Sequence, residues 1–352
     1  MANILSSRSP LIVLILASLL YLCSNSFAKS VVVPLEDNSL DLVFSANFFR
    51  QYKKINFEEI NIDKKMSLEL ERRAQLIINN TDSYGKSTVP FYINDSDFNI
   101  DLKMGNTPVL DQGDYGSCVT FAVTAALNTL NDSGDYISQQ CLLELGNTYQ
   151  ELGDKIDKPW STREDFCSYS SGWDGFDAAC LFERIRQHGV VAKTNCLHEY
   201  PLINEKMSFE EYHALSLNKQ WSNDFIVRSL RNPNSINELR KALNNGHRIV
   251  IGTFINGSDI PGTIGYPINN KKSGLFKLPE DEYGLSELVY NLKRDGVAYG
   301  HEFIVVGYND RQQILKLRNS WGQGVGDNGD FYMSYEYYIL LNISAVELGA
   351  RQ

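Results

Sequence analysis

The sequence predicts an α+β protein, and three observations carry that expectation. Two stretches, 118–130 and 176–189, set apolar residues on one helical face. INELRKALNNGHRIVIGTF (236–254) passes from a helical pattern into a strand-like one. HEFIVVGYNDRQQILKLRNSW (301–321) reads as two strands around a polar turn.

The helix at 118–130 carries Val119, Val123, Ala126, Leu127 and Leu130 on one stripe, and Ser117 before it is a good N-cap. Cys118 therefore falls in the first turn, where unpaired amide hydrogens and the helix dipole favour a thiolate. Gly113 and Gly116 keep the approach narrow. The Gln112 side-chain amide and a backbone N–H together offer two donors to an oxyanion. The second helix, FDAACLFERIRQHG (176–189), is closed by Gly189.

In the strand pair, a three-residue loop at Asn309, Asp310 and Arg311 would set His301 directly opposite Asn319, with Cβ atoms roughly 4.5–5.5 Å apart. A slip of one residue would send the two side chains to opposite faces. Trp321 lies two residues beyond Asn319 and would shield a His–Asn hydrogen bond from water. A thiolate nucleophile needs a base, and the base needs an orienting group. His188, His198, His213 and His247 show no partner in their local patterns, so structural or surface roles are expected.

The whole chain has 352 residues, 43% of them hydrophobic, enough for one large domain or two smaller ones. A net charge of -10 is a poor match to nucleic acid or anionic membrane, which attract basic surfaces. Arg8, the apolar run 11–22 and the small residues Ser26 and Ala28 read as a secretory signal over 1–28, and that run is too short to span a bilayer. Cys23 raises a lipoprotein alternative, against which the bulky Leu22 speaks. Without it, Cys118, Cys141, Cys167, Cys180 and Cys196 remain. An odd count in an exported chain suggests one free thiol and up to two disulfides, and the pairing is open. Residues 29–97 contain no cysteine, carry a charged helical stretch at 57–79 and end in linker-like NNTDSYGKS (79–87).

TPVLDQGDYGSCVTFA (107–122), ISQQCLLEL (137–145), SGWDGF (171–176), GHEFIVVGY (300–308) and LRNSWGQGVGDNGDFYMSYEYY (317–338) resemble the successive motifs of the papain-like cysteine peptidases. The match runs in the family's order from about residue 98 to 340, and the RNSWG region resembles its bacterial branches. The resemblance implies an α+β fold of a helical and a β-rich subdomain with a cleft between them, over 98–352. It implies Cys118 as nucleophile, His301 as general base and then acid, Asn319 orienting the imidazole, and Gln112 in the oxyanion hole. The activity implied is peptide-bond hydrolysis through an acyl-enzyme, without metal or cofactor, by a secreted or periplasmic monomer acting on protein or peptide substrates. A catalytically silent peptide-binding protein on the same fold, or an acyl transferase, is the alternative. Residues 29–97 then read as a propeptide that inhibits the enzyme, or as a permanent N-terminal extension.

The chain departs from the family in several places. Cys118 and His301 are 183 residues apart in the sequence, against about 130–150 expected, which implies insertions within 146–172 and 200–235. Tyr115 and Trp173 stand where the family has a disulfide, and an aromatic pair is expected in its place. Val119 and Val325 replace tryptophans. Gly175 is expected to lie where substrate pairs with backbone, and Phe176 to narrow that wall. Glu302 follows the catalytic histidine, a position that commonly lines a substrate pocket. Either it confers a preference for basic residues or strand alternation turns it away. Two other motifs are set aside. GVGDNG (324–329) precedes a strand-like run rather than the helix a dinucleotide fingerprint needs. Cys180, His188, Cys196 and His198 lack zinc-site spacing.

Overall fold

The computed structural model describes residues 30–34, 52–56, 58–79, 95–155, 167–217, 225–255, 274–279 and 281–350. The expected signal (1–28) and residues 80–87 of the linker-like stretch lie outside them. The N-terminal elements are β1 (Ser30–Pro34), β2 (Tyr52–Asn56), β3 (Glu58–Asn61), α1 (Lys64–Asn79) and β4 (Ile100–Asp101). A helical part follows, with α2 (Cys118–Leu130), α3 (Gln139–Asp154), α4 (Ala178–His188) and α5 (Phe209–Leu215). The sheet part holds β5 (Phe225–Ser229), α6 (Ile236–Asn244), β6 (Arg248–Ile255), β7 (Gly274–Phe276), α7 (Glu282–Asp295) and β8 (Val297–Asn309). It closes with β9 (Ile314–Arg318), β10 (Asp330–Ser334), α8 (Tyr335–Leu341) and β11 (Asn342–Ala350). The α+β division into a helical and a sheet part is the one the sequence predicted.

The sheet runs β5-β11-β6-β8-β9-β10-β7, with β3 and β4 added along β8. Side-chain alternation gives it two apolar faces. On β8, Phe303 and Val305 face the cluster built with α1, α6, α7 and α8. Ile304 and Val306 face the other way, into a cluster with Val119, Ala122, Val123 and Ala126 of α2. Helix α2, with Cys118 at its head, thus lies across the strand that carries His301.

The predicted hairpin forms with a different register. Residues 310–313 make a four-residue turn, and a bulge falls between Val305 and Gly307. Ile304 pairs with Arg318, where the expected three-residue loop would have paired it with Lys316. Next to the turn the displacement is odd, and the bulge makes it even, so the side chains beyond the bulge, toward His301, keep their face. The run after the glycine-rich turn is a strand only as far as Ser334. Ser334 Oγ then accepts the Tyr337 N–H at 3.1 Å and caps α8.

The N-terminal segment is built into the sheet part. Strand β3 pairs antiparallel with β8, Glu58 opposite Gly300 and Asn61 opposite Val297. On α1, Leu70, Arg73, Ala74 and Ile77 are buried at helical i, i+3, i+4, i+7 spacing, and the helix packs on α7 and α8. Arg73 Nη1 donates to the carbonyls of Leu340 (3.1 Å) and Asn342 (2.8 Å), closing the carbonyl end of α8. Farther along β8, β4 approaches so closely that a Cβ on Gly307 would lie 2.4 Å from the Ile100 carbonyl oxygen.

Candidate active site

The DQGDYGSC turn joins the two parts. Residues 110–112 run antiparallel to 320–322: Gly322 N–H donates to Leu110 O and Gln112 N–H to Ser320 O, each at 2.9 Å. Gln112 is fully buried. Its Oε1 accepts from Ser320 Oγ at 2.6 Å and its Nε2 donates to Tyr115 O at 2.7 Å. An amide nitrogen has two hydrogens, so one remains for another acceptor. Cys118 is buried and is the one cysteine outside a disulfide among the described residues. Ser117 does not cap α2 as expected. Its side chain makes no capping bond, and its Oγ lies 3.0 Å from Tyr200 Oη.

His301 is buried on β8, and its Nε2 lies 2.8 Å from Asn319 Oδ1. The Ser320 backbone N–H points at the same Asn319 atom at 2.8 Å. A backbone N–H can only donate, so that atom is the oxygen. Nε2 of His301 therefore carries the proton, and Nδ1 holds the lone pair of the neutral ring. The shifted register sets Trp321, not Asn319, beside His301: their ring centres are 4.5 Å apart. Asn319 reaches the imidazole because β9 has ended at Arg318, and its own N–H bonds to Gly329 O at 3.0 Å. Trp321 is almost fully buried and covers the His–Asn contact as predicted. Burial pushes the His301 imidazole down to about 4, and the bond to Asn319 opposes that shift.

Tyr115 and Trp173 do meet in place of the missing disulfide, edge to face with centres 5.5 Å apart. A third ring completes the cluster. Tyr200 stacks on Trp173 at 5.6 Å and meets Phe121 edge-on at 4.9 Å. Gly175 sits at φ +102°, and its N–H donates to Gly116 O at 3.0 Å, which ties this wall to the turn before Cys118. The expectation that Phe176 narrows the wall is corrected. Its ring is buried in the helical part's core, with the Arg184 guanidinium 4.5 Å over it. A buried cation is accommodated more readily on an aromatic face than against aliphatic carbon, and this turns the ring inward. Glu302 is buried on the opposite face of β8 from His301. Gly252 opposes it, where an added Cβ would lie 3.1 Å from Glu302 Oε1 and 2.6 Å from Ser344 Oγ.

The other four described cysteines form two disulfides, Cys141–Cys196 and Cys167–Cys180. Cys141, Glu144 and Cys196 offer atoms within 4.8 Å of one another, but both sulfurs are consumed by the disulfide, which removes the thiolates a metal would use. Histidines that show no partner in their local sequence have distant ones. His188 lies between Tyr149 Oη and His213 (2.7 Å), His198 reaches Glu144 (3.0 Å), and His247 reaches Glu347 (2.6 Å). Sequence reasoning also missed Tyr200. No local pattern marks it, because its hydroxyl partners lie 83 and 88 residues away.

No protein-family model matches the chain. It is 26% identical over 234 residues to cysteine proteinase 1 of Entamoeba histolytica, a match covering 65% of this chain and 60% of that protein's length. Among solved structures it is similar to xylellain, a cysteine protease from Xylella fastidiosa (18% identity, 75% of this chain and 95% of that one, TM-score 0.46). It is also similar to PepW from Lactobacillus rhamnosis HN001 (15% identity, 78% and 87%, TM-score 0.47). The chain thus resembles the papain-like cysteine peptidases in its motif order, and its curated relative carries a cysteine proteinase's name.

Proposed function

We propose that the chain is an exported papain-like cysteine peptidase whose nucleophile is Cys118. The observation that carries this reading is the His301 Nε2–Asn319 Oδ1 bond under Trp321, on a strand crossed by the helix that begins at Cys118. Asn319 fixes the tautomer that leaves Nδ1 of His301 to take the thiol proton. The thiolate attacks a substrate carbonyl carbon, and the carbonyl oxygen takes up the negative charge. The second Nε2 hydrogen of Gln112 and the Cys118 N–H stabilise that charge. Collapse of the intermediate breaks the C–N bond as imidazolium gives its proton to the departing amine, leaving a thioester. Water, deprotonated by His301, then releases the acid and restores the thiol.

Burial disfavours a charged His301, so an imidazolium at neutral pH depends on the thiolate as its counter-charge. Gly175 and Phe176 supply backbone to the substrate wall in this reading. The two disulfides fit an oxidising compartment, as export through a signal at 1–28 implies. The test is labelling of folded protein with a thiol-reactive epoxide, beside Cys118→Ala, together with peptide hydrolysis. Label at Cys118 with matching loss of hydrolysis is expected. Folded protein that takes no Cys118-dependent label is a binding protein instead.

A further inference from the structure

Tyr200 lies in the part of the chain expected to hold an insertion, yet its hydroxyl reaches both ends of the turn that leads to Cys118. It donates to the carbonyl oxygen of Gln112. A phenol has one hydrogen, so the contact with Ser117 Oγ at 3.0 Å must have Ser117 as donor. The bonds therefore run Ser117 O–H to Tyr200 Oη, and Tyr200 O–H to Gln112 O. The phenol ring is itself fixed, stacked on Trp173 and edge-on to Tyr115 and Phe121.

The consequence falls on the helix start. A serine in this position ordinarily turns its oxygen onto the N–H two or three residues ahead, here Val119 or Thr120. Ser117 makes no such bond, and its backbone (φ −87°, ψ 19°) is not in the extended region usual for a capping residue. The bond to Tyr200 holds the serine side chain turned away from the helix start, so its oxygen accepts from none of the first-turn amides. Those amides are the groups that stabilise a thiolate at this helix end.

We propose that Tyr200 is a positioning residue of this site, its hydroxyl clamping Gln112 to Ser117 and withholding the Ser117 cap from the helix that starts at Cys118. The inference rests on reading Cys118 as the nucleophile. Beside the Tyr115–Trp173 ring contact, the phenol adds a polar tie between the two ends of the turn.

The test follows Cys118 alkylation by iodoacetamide against pH on the full exported chain, with the labelled residue located by peptide mass. This reads the thiol whether or not the protein cleaves peptides. Tyr200→Phe keeps the ring contacts and removes both hydrogen bonds. Its alkylation midpoint should rise by about half to one pH unit, with labelling at pH 6 slowed about three- to tenfold. Ser117→Ala removes the competing hydroxyl and should stay near the wild-type midpoint. Tyr200→Phe with Ser117→Ala should return toward it, while the thermal midpoint of the double variant stays at or below that of Tyr200→Phe. A wild-type midpoint in the ordinary thiol range, about 8.5, would overturn the nucleophile reading and the clamp together. A low wild-type midpoint that Tyr200→Phe leaves in place, even with lowered thermal stability, overturns the clamp alone. Failure of the double variant to recover overturns the withheld cap.

Discussion

Leu70 decides whether the segment before residue 98 is a detachable inhibitor or part of the folded core. Its side chain is 0% exposed on α1, a helix that packs on the sheet part's α7 and α8, and it belongs to that part's apolar cluster. Replacing it with alanine removes buried carbons and leaves a cavity that neighbouring elements fill only in part. Buried leucines cost about 2–5 kcal/mol on such truncation, and full burial in a contiguous cluster argues for about 3 kcal/mol here. Leu68, on the same helix and 58% exposed, is the control, and Leu68→Ala should stay within about 0.5 kcal/mol. Urea unfolding followed by tyrosine and tryptophan fluorescence reads both. With a slope of about 3 kcal/mol per molar, Leu70→Ala should lower the midpoint by about 1 M. If Leu70→Ala and Leu68→Ala unfold together with wild type, α1 does not hold the sheet part, and residues 58–79 are not a structural element of it.

Other outcomes follow from the site and the disulfides. Burial alone holds the His301 imidazole down near 4, and Cys118→Ala should keep it there; the thiolate–imidazolium pair of the proposed mechanism would raise it in wild type, and histidine proton resonances followed against pH read both. Its folded value lies below the unfolded 6.5, so the unfolded chain binds more protons between those limits. In that variant stability should therefore fall as pH drops from about 6.5 to 4, by about 3 kcal/mol, measured by urea unfolding at several pH values. Asn319→Ala leaves the His301 Nε2 proton without its acceptor, and turnover of a peptide substrate should fall about 10- to 100-fold, while a small change in KM is expected. Breaking Cys141–Cys196, which spans 55 residues, should cost about 4 kcal/mol by loop entropy, against about 3 kcal/mol for Cys167–Cys180, which spans 13; single Cys→Ser variants in urea test the order.

Much of this molecule is legible in its sequence because its signals are local. The stripe of α2, the closing Gly189 of α4 at φ +83° and the passage from α6 to β6 all depend on neighbours within a few residues. The His301–Asn319 contact is legible for a subtler reason. The turn is longer than expected and a bulge is added, but the two changes together preserve parity and so the shared face. What the sequence does not reveal depends on distant partners. Ser117 is a good cap by local preference, and only a tyrosine 83 residues away diverts it. Phe176 reads as a cleft residue, but a buried arginine on α4 gives its ring an inward partner. Arg73 is one charge among many on a charged helix, and its use depends on carbonyls 267 and 269 residues away.

The strand pairing between Glu58–Asn61 and Val297–Gly300 bears on how maturation would look at the bench. A cut anywhere between residues 79 and 95 would break the covalent chain without releasing what lies before it. Strand β3 would still hydrogen-bond to the residues immediately preceding His301, and Leu70, Ala74 and Ile77 would still be embedded in their cluster. The processed protein would run as two bands under denaturing conditions and as one particle under native ones, with the light piece serving as a structural subunit of the heavy one.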